Sequence, residues 1–372
     1  MHANRILVSA LVAAGLCAPL MGALSLGEGS ELFLNGSVGY QYDDNIFLRH
    51  TGATSDSIWT LTPGVEVQFG QNSLAKGSFI YNEAFAKYSS HSSQDSNLAN
   101  VSFNVAYDDN KTKGSFGASY VETSQNTIDA RLAAVLVRKN TTNVNGKGEW
   151  GMSDKTSFGA GATYDHNEYK TAGFVTSDQY SIPLDFYYKM EPKLDLSADY
   201  QYRETSQATG LPKFTDNFLG IGARGEFTEK LSGQYHIGYT QRQFSHGSGN
   251  ESLLGLSSTF TYQYSAKTNV NVGISNDFDN AATGSSQKVL SGTLGVQTQF
   301  EEGFSGSVNA SYRDIEYATG ERDHYWSFNV GLQEQYNKYL TFSAGYTYQN
   351  NSSNIPVGFA DNMFQVTGTV RY

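Results

Sequence analysis

The chain has 372 residues, with 39% apolar, 16% charged and 13% aromatic residues, 38 glycines and a single cysteine. Apolar content under the usual ~45–50% argues against stacked soluble cores, and scarce charge with abundant rings argues against disorder. A formal charge of −11 excludes a surface built to grip phosphates, so no nucleic-acid partner is expected.

The first element in chain order is a leader. Arg5 precedes an apolar run over 6–20, broken only by Ser9, Gly15 and Pro19, and the small residues Gly22, Ala23 and Ser25 follow. This is the three-part pattern of a secretory signal peptide. Small residues at Ala23 and Ser25 place the cut after Ser25, giving a leader of 1–25 and a body of 26–372. A lipoprotein cut at Cys17 is the rival, and Leu16 stands where that cut needs a small residue. The run is shorter than the ~20 residues of a spanning helix. Removal of the leader takes Cys17 with it, which excludes disulfides, thiolate metal sites and a cysteine nucleophile in the body.

Beyond the leader one pattern repeats. Leu194, Leu196, Ala198, Tyr200 and Tyr202 alternate with Asp195, Ser197, Asp199, Gln201 and Arg203. Leu340, Phe342, Ala344, Tyr346 and Tyr348 alternate with Thr341, Ser343, Gly345, Thr347 and Gln349. Period two means strands with one apolar and one polar face. About eighteen such segments follow in order, at 31–42, 57–69, 74–88, 97–108, 113–123, 141–151, 156–169, 178–190, 194–205, 215–227, 231–244, 252–264, 268–278, 287–300, 303–316, 324–336, 339–350 and 361–372, with sixteen as the alternative count. The segment at 215–227 is the thinnest, diluted by Gly220, Gly222 and Gly225. Each is long enough to cross a bilayer as a tilted strand, which takes about 9–11 residues.

The connections alternate too. Short turns such as 109–111, 153–155 and 301–302 follow every second strand, and longer loops such as 43–56, 124–140 and 351–360 follow the others. Short turns at one rim and long loops at the other describe a transmembrane up-and-down antiparallel β-barrel in the bacterial outer membrane, with both chain ends at the periplasmic rim. Soluble sandwiches and propellers do not sort their turns by length. Aromatic residues near strand ends, among them Tyr40, Trp59, Trp150, Tyr188, Tyr262 and Trp326, suit the boundary between hydrocarbon and headgroups. Pro63 and Pro183 cannot donate to a ladder, so each is expected at a bulge or an unpaired donor position. The last strand places Phe364, Val366, Gly368, Val370 and Tyr372 on one face and ends on an aromatic residue. This resembles the assembly signal that outer-membrane proteins present to the barrel-assembly machinery.

The run Gly36-Ser37-Val38-Gly39-Tyr40-Gln41-Tyr42-Asp43-Asp44-Asn45-Ile46-Phe47, with Ser57-Ile58-Trp59-Thr60-Leu61-Thr62-Pro63-Gly64-Val65, resembles the opening of proteins in the putative beta-barrel porin two family. The resemblance covers about forty residues. It implies an outer-membrane barrel with a porin-like role, some similar barrels being associated with exopolysaccharide export. It brings no catalytic residue.

The alternation assigns charges to the barrel interior: Glu66, Lys147, Glu149, Asp165, Asp185, Lys189, Asp195, Asp199, Arg203, Arg224, Glu226, His236, Arg242, Arg313 and Arg371. They line either a hydrophilic channel or a wall of internal ion pairs; a ring this wide is not filled by side chains alone. The longest loop, 124–140, carries Asp129, Arg131, Arg138 and Lys139 beside Leu132, Ala133, Val135, Leu136 and Val137. It is the third long loop, where porins often fold a constriction inward; a hairpin extending past the membrane is the simpler expectation. Asp43, Asp44 and Asn45 offer oxygen ligands for calcium, but strand ends favour these residues anyway, and no metal or cofactor is expected. The histidines outside the leader, His50, His91, His166, His236, His246 and His324, sit in no recognisable nucleophile motif, so no enzyme is expected. Three functions stay open: passive passage of small hydrophilic solutes, export of a surface polysaccharide, or an occluded structural or adhesive barrel.

Overall fold

The computed structural model describes residues 23–372 apart from 133, 209 and 246–248. Residues 1–22, the greater part of the leader expected at 1–25, with Cys17, lie outside the described residues, as do Ala133 and His246. A four-residue strand, β1 (Leu24–Gly27), comes first. Eighteen long strands follow in chain order: β2 (Ser30–Asp43), β3 (Asp56–Phe69), β4 (Ala75–Tyr88), β5 (Ser96–Asp108), β6 (Thr112–Ser124), β7 (Arg138–Gly151), β8 (Thr156–Tyr169), β9 (Ser177–Glu191), β10 (Leu194–Gln207), β11 (Phe214–Glu226), β12 (Leu231–Phe244), β13 (Asn250–Ser265), β14 (Thr268–Asn280), β15 (Ser286–Glu301), β16 (Phe304–Tyr317), β17 (Arg322–Gln335), β18 (Leu340–Ser353) and β19 (Phe359–Arg371). These eighteen correspond one to one with the expected segments. A single turn of 3-10 helix at Ser92–Gln94 is the one helical element among the described residues.

Each strand from β2 to β18 pairs antiparallel with the next. β19 then pairs with β2, from Met363↔Asp43 to Arg371↔Asn35, and closes the ring. Closure matters because an unpaired backbone group in hydrocarbon costs several kcal/mol. Tyr372 and Leu34 exchange both backbone hydrogen bonds, at 2.8 and 2.9 Å, so the seam holds to the last residue. The strand that alternation did not announce is β1, which pairs with Ser30–Leu32 on the stub of β2 beyond the reach of β19. A cut after Ser25 would remove half of it.

The two prolines take the second of the two forms expected of them. β3 and β4 pair at Leu61↔Phe85 and again at Gly64↔Asn82, in the same register, with the ladder open at Pro63. β8 and β9 behave alike around Pro183, between Ala160↔Leu184 and Thr163↔Ser181. Neither proline shifts the register. The shifts lie near the short-turn rim, as at Gln299/Glu301. Left-handed residues close some of these turns: Asn110 (φ 72°) between β5 and β6, and Gly303 (φ 80°) between β15 and β16.

The two faces separate as period two requires. Trp59, Leu61, Trp150, Ile182, Leu219, Ile221, Leu254, Trp326, Phe364 and Val366 are exposed on the outside. Asp185, Ser197, Asp199, Asp216, Thr240 and Arg242 are buried inside. Low mean hydropathy, −0.43, follows because only alternate strand residues meet lipid. One hairpin departs from the cylinder. β13 and β14 part company above Leu256↔Asn276, while β14 stays paired with β15 to Asn280↔Ser286. The tip of that hairpin leans into the barrel, and Phe278, Ala281 and Ala282 become buried.

Candidate functional site

The charged wall is a network of pairs. Arg224 of β11 forks onto Glu149 of β7 at 2.6 and 2.7 Å, reaches Asp195 of β10 at 3.1 Å, and lies 3.4 Å over the Tyr187 ring. Lys147 stands 3.3 Å from Asp185, whose other neighbour is the Tyr187 hydroxyl at 3.0 Å. Arg203 bridges Asp216 and Asp277, both at 2.8 Å. Arg242 is fully buried: it binds Asp216 through two nitrogens at 2.7 Å and reaches Asn280 and Ser286 on the inward hairpin. Its guanidinium is sandwiched by the Phe214 and Phe278 rings, each 4.8 Å away. His236 Nδ1 lies 2.8 Å from Asp199, which also accepts from the Ser197 hydroxyl at 3.0 Å. Glu66 accepts twice from Arg371 at 3.1 Å, joining β3 to β19 across the seam strand β2. Asp165 accepts from Asn143 at 2.7 Å. Lys189 lines the opening at the short-turn rim, and Glu226 meets Lys193 there at 2.7 Å.

Alternation alone did not single out Asp216, Asp277, Tyr187 or Phe218. Asp216 shares its face with Arg224, so period two could have found it. Phe218 is aromatic on the inner face, against the pattern. Gly220 and Gly255 give it room: a Cβ at either would meet the Phe218 ring at 2.5 and 2.8 Å.

The loop at 125–137 does not project as a hairpin beyond the membrane. It folds inward and crosses the barrel. At one side Asn126 donates to the Phe47 carbonyl in the β2–β3 loop, and Leu136 packs with Ile46, Phe47 and Ile58. At the other, Ile128 packs with Ala281, Ile315 and Tyr317, and Asp129 lies 3.6 Å from Arg313. β16, which carries Ile315 and Arg313, stands nine strands round the ring from β7 in either direction. Ala130 and Val137 meet Ala282 at the tip of the inward hairpin. Apolar residues that a free hairpin would expose therefore find partners across the mouth. Arg131 turns to Asp323 at 4.0 Å and donates to the Ile128 carbonyl. Arg138 and Lys139 belong to β7, not to the loop. Lys139 faces the Tyr169 ring at 5.8 Å, whereas Arg138 reaches the Asp95 carbonyl at the rim, because the strand begins three residues earlier than the alternation suggested.

Burial under the docked loop holds the Asp129 carboxyl above the usual carboxylate range, with Asp279 adding to the rise and Arg313 opposing it. Glu321, in the β16–β17 loop, is also raised, by burial and by Asp323. Asp43, Asp44 and Asn45 are spent on the seam: Asp44 takes two hydrogen bonds from Asn362, and Asn45 ties Arg49 to the Ala360 carbonyl. Among the described residues no group of three or more His, Cys, Asp or Glu side chains could hold a metal.

Below the loop, the wall from β7 to β14 encloses a cavity of about 450 Å³ lined by Lys147, Asp185, Tyr187, Asp199, Arg203, Asp216, Phe218, Arg224 and His236. A wider cavity of about 1150 Å³ opens at the short-turn rim, lined by Lys111, Glu149, Lys155, Lys189 and Asp195. Tyr187 and Arg224 line both.

Residues 218–372 match the protein-family model described as Putative beta-barrel porin 2. That is the family the opening strands resemble, although the match covers the C-terminal strands rather than residues 36–65. No curated protein sequence matches the chain. Among solved structures, Pseudomonas aeruginosa OccK2 (OpdF) in complex with glucuronate aligns at a TM-score of 0.52 and 10% identity, over 94% of this chain and 100% of that one. Pseudomonas aeruginosa OccK5 (OpdH) gives 0.51 and 12%, over 94% and 100%. Acinetobacter baumannii OccAB2 gives 0.50 and 10%, over 94% and 99%. At these identities the likeness is one of fold. The chain is a closed eighteen-stranded antiparallel barrel with the fold of those porins.

Proposed function

We propose that the barrel is a porin-like channel for passive passage of small hydrophilic solutes. The observation that carries the reading is a closed ring whose inner wall is polar and charged from the loop to the short-turn rim, with open cavities below the loop. A loop lying across an otherwise wide ring divides it into narrow compartments, which suits small solutes better than a polymer chain. OccK2, which shares the fold, is described in complex with glucuronate, a small hydrophilic solute. The reading involves no catalysis. Ser197, Asp199 and His236 meet in the wall, but the serine donates to the aspartate and not to the imidazole, the reverse of what a nucleophile needs. β19, with Phe364, Val366, Val370 and Tyr372, is the strand offered to the barrel-assembly machinery.

The purified chain in planar lipid bilayers tests this. Stable open steps in KCl, with swelling of proteoliposomes in small sugars, are expected. Silence in both would overturn the channel and favour the second reading, an occluded structural barrel, for which the docked loop is the specific observation.

A further inference from the structure

Four carboxylates line the cavity of about 450 Å³: Asp185, Asp199, Asp216 and Asp277. Three have a permanent cation of their own. Lys147 stands 3.3 Å from Asp185, Arg203 2.8 Å from Asp277, and Arg242 2.7 Å from Asp216. Arg224, the remaining Lys or Arg side chain lining this cavity, is turned to Glu149 and Asp195 on the rim side. Asp199 has only the His236 imidazole and the Ser197 hydroxyl, and both bind the same oxygen, Oδ2. Its Oδ1 has no hydrogen-bond partner among the described residues, although Asp199 is 5% exposed. A buried carboxylate oxygen without a donor is a destabilising feature that a ligand can relieve.

The local sequence builds this arrangement. Asp199 pairs with Gly220 of β11, and Gly222 lies beside it opposite His236 of β12. A Cβ at Gly222 would stand 2.8 Å from both His236 Nδ1 and Ser197 Oγ. The glycines that thin this strand let an imidazole cross it to reach the aspartate. Phe218 and Tyr187 supply apolar ring surface in the same cavity.

We propose that this cavity holds a small organic solute carrying an ammonium group, which donates to Asp199 as the missing cation while its carbon body lies against Phe218 and Tyr187. The volume suits a drug-sized or smaller ligand, for which pockets of about 300–1,000 Å³ are usual. The solute is opposite in charge to the glucuronate described with OccK2. The inference rests on the reading of the lumen as a solute passage.

The test uses three probes with the same four-carbon chain: 1,4-diaminobutane, 1,4-butanediol and succinate. In bilayers holding the full chain, the diamine is expected to interrupt the KCl current in a concentration-dependent way, and the diol and succinate are not. Asp199→Asn should weaken the diamine's effect at least about tenfold, the worth of one hydrogen bond to a charged group. His236→Lys should do the same while keeping the carboxylate, because it supplies the cation from within; it decides the matter if Asp199→Asn does not fold. Interruption by succinate as strong as by the diamine, or an unaltered diamine effect in both variants, overturns the proposal. If the protein carries no current at all, the channel reading fails, and calorimetric titration of the detergent-solubilised chain with the diamine decides for the cavity. Binding weakened at least about tenfold in the variants upholds the site, and no binding sinks it.

Discussion

The docked loop makes the most direct prediction. Ile128 is 8% exposed and packs against Ile315, which is fully buried, and against Tyr317 and Ala281 on the far wall. Truncation to alanine removes most of that contact without touching the strand ladder. Buried Ile→Ala changes cost about 2–5 kcal/mol, and a loop that can resettle belongs at the low end, about 2 kcal/mol. At about 1.36 kcal/mol per factor of ten, the undocked population rises about thirtyfold. Trypsin reads that population directly. Arg131 lies three residues on, with its side chain largely buried against Asp323, so cleavage after it requires undocking. Cleavage at Arg131 in Ile128→Ala, followed by peptide mass in detergent, should accelerate about thirtyfold while the barrel fragments stay folded. Ile315→Ala, on the opposite wall, should accelerate the same cut. Unchanged cleavage in both variants would mean that the loop is not held by this contact.

Three further outcomes follow from the same geometry. Asp129 is raised by burial, so protonation favours the docked loop: its contribution is fully present below the ordinary carboxylate range and is lost as pH rises through the raised value. Cleavage after Arg131 should therefore slow on acidification, and Asp129→Asn should remove much of that slope; a slope of the opposite sign would refute the burial argument. Arg224→Ala leaves Glu149 and Asp195 without their shared cation and removes the side chain stacked on Tyr187 between the two cavities. Reversal potentials in a KCl gradient should move toward cation preference and conductance should rise, whereas an unmoved potential would place the path elsewhere. Gly222→Ala would drive a Cβ to 2.3 Å from the Tyr235 carbonyl, whereas nothing lies within 4 Å of one at Gly292. The first should destabilise the barrel by about 1–3 kcal/mol and lower its heat-unfolding midpoint on gels, and the second should leave it in place.

The fold was legible because it rests on local rules that repeat. Leu194 to Tyr202 and Leu340 to Tyr348 declare two faces by period alone, and turn length sorts the rims. The sorting of charge onto one face was legible for the same reason, since parity puts Asp199 and Arg203 on the side opposite Tyr200. What parity cannot give is partnership across distance. Nothing near Asp129 in sequence marks Arg313 as its counter-ion 184 positions on, and nothing in 124–140 tells a loop that crosses the mouth from one that leaves it. The decision lies with Ile315, Tyr317 and Ala282 on distant strands. Arg242 shows the limit well: its position on the inner face was expected, but its complete burial depends on β14 leaving β13 above Asn276, which no local pattern encodes.

The glycines of β11 show why a weak strand signal can mark the busiest wall. Gly220 and Gly222 dilute the alternation of 215–227, yet they are where neighbouring side chains reach across: Phe218 lies over the first, and His236 and Ser197 close on Asp199 over the second. A barrel strand can lose its inward side chains only where others fill the space or a ligand is meant to. Here Phe218 fills one gap, while the cavity beside Asp199 stays open. The dilution in sequence, the convergence in structure and the unpaired carboxylate oxygen coincide at one level of the wall, so a change at Gly222 should disturb solute recognition and barrel stability together, whereas one at Arg224 should disturb permeation with less effect on the Asp199 cavity.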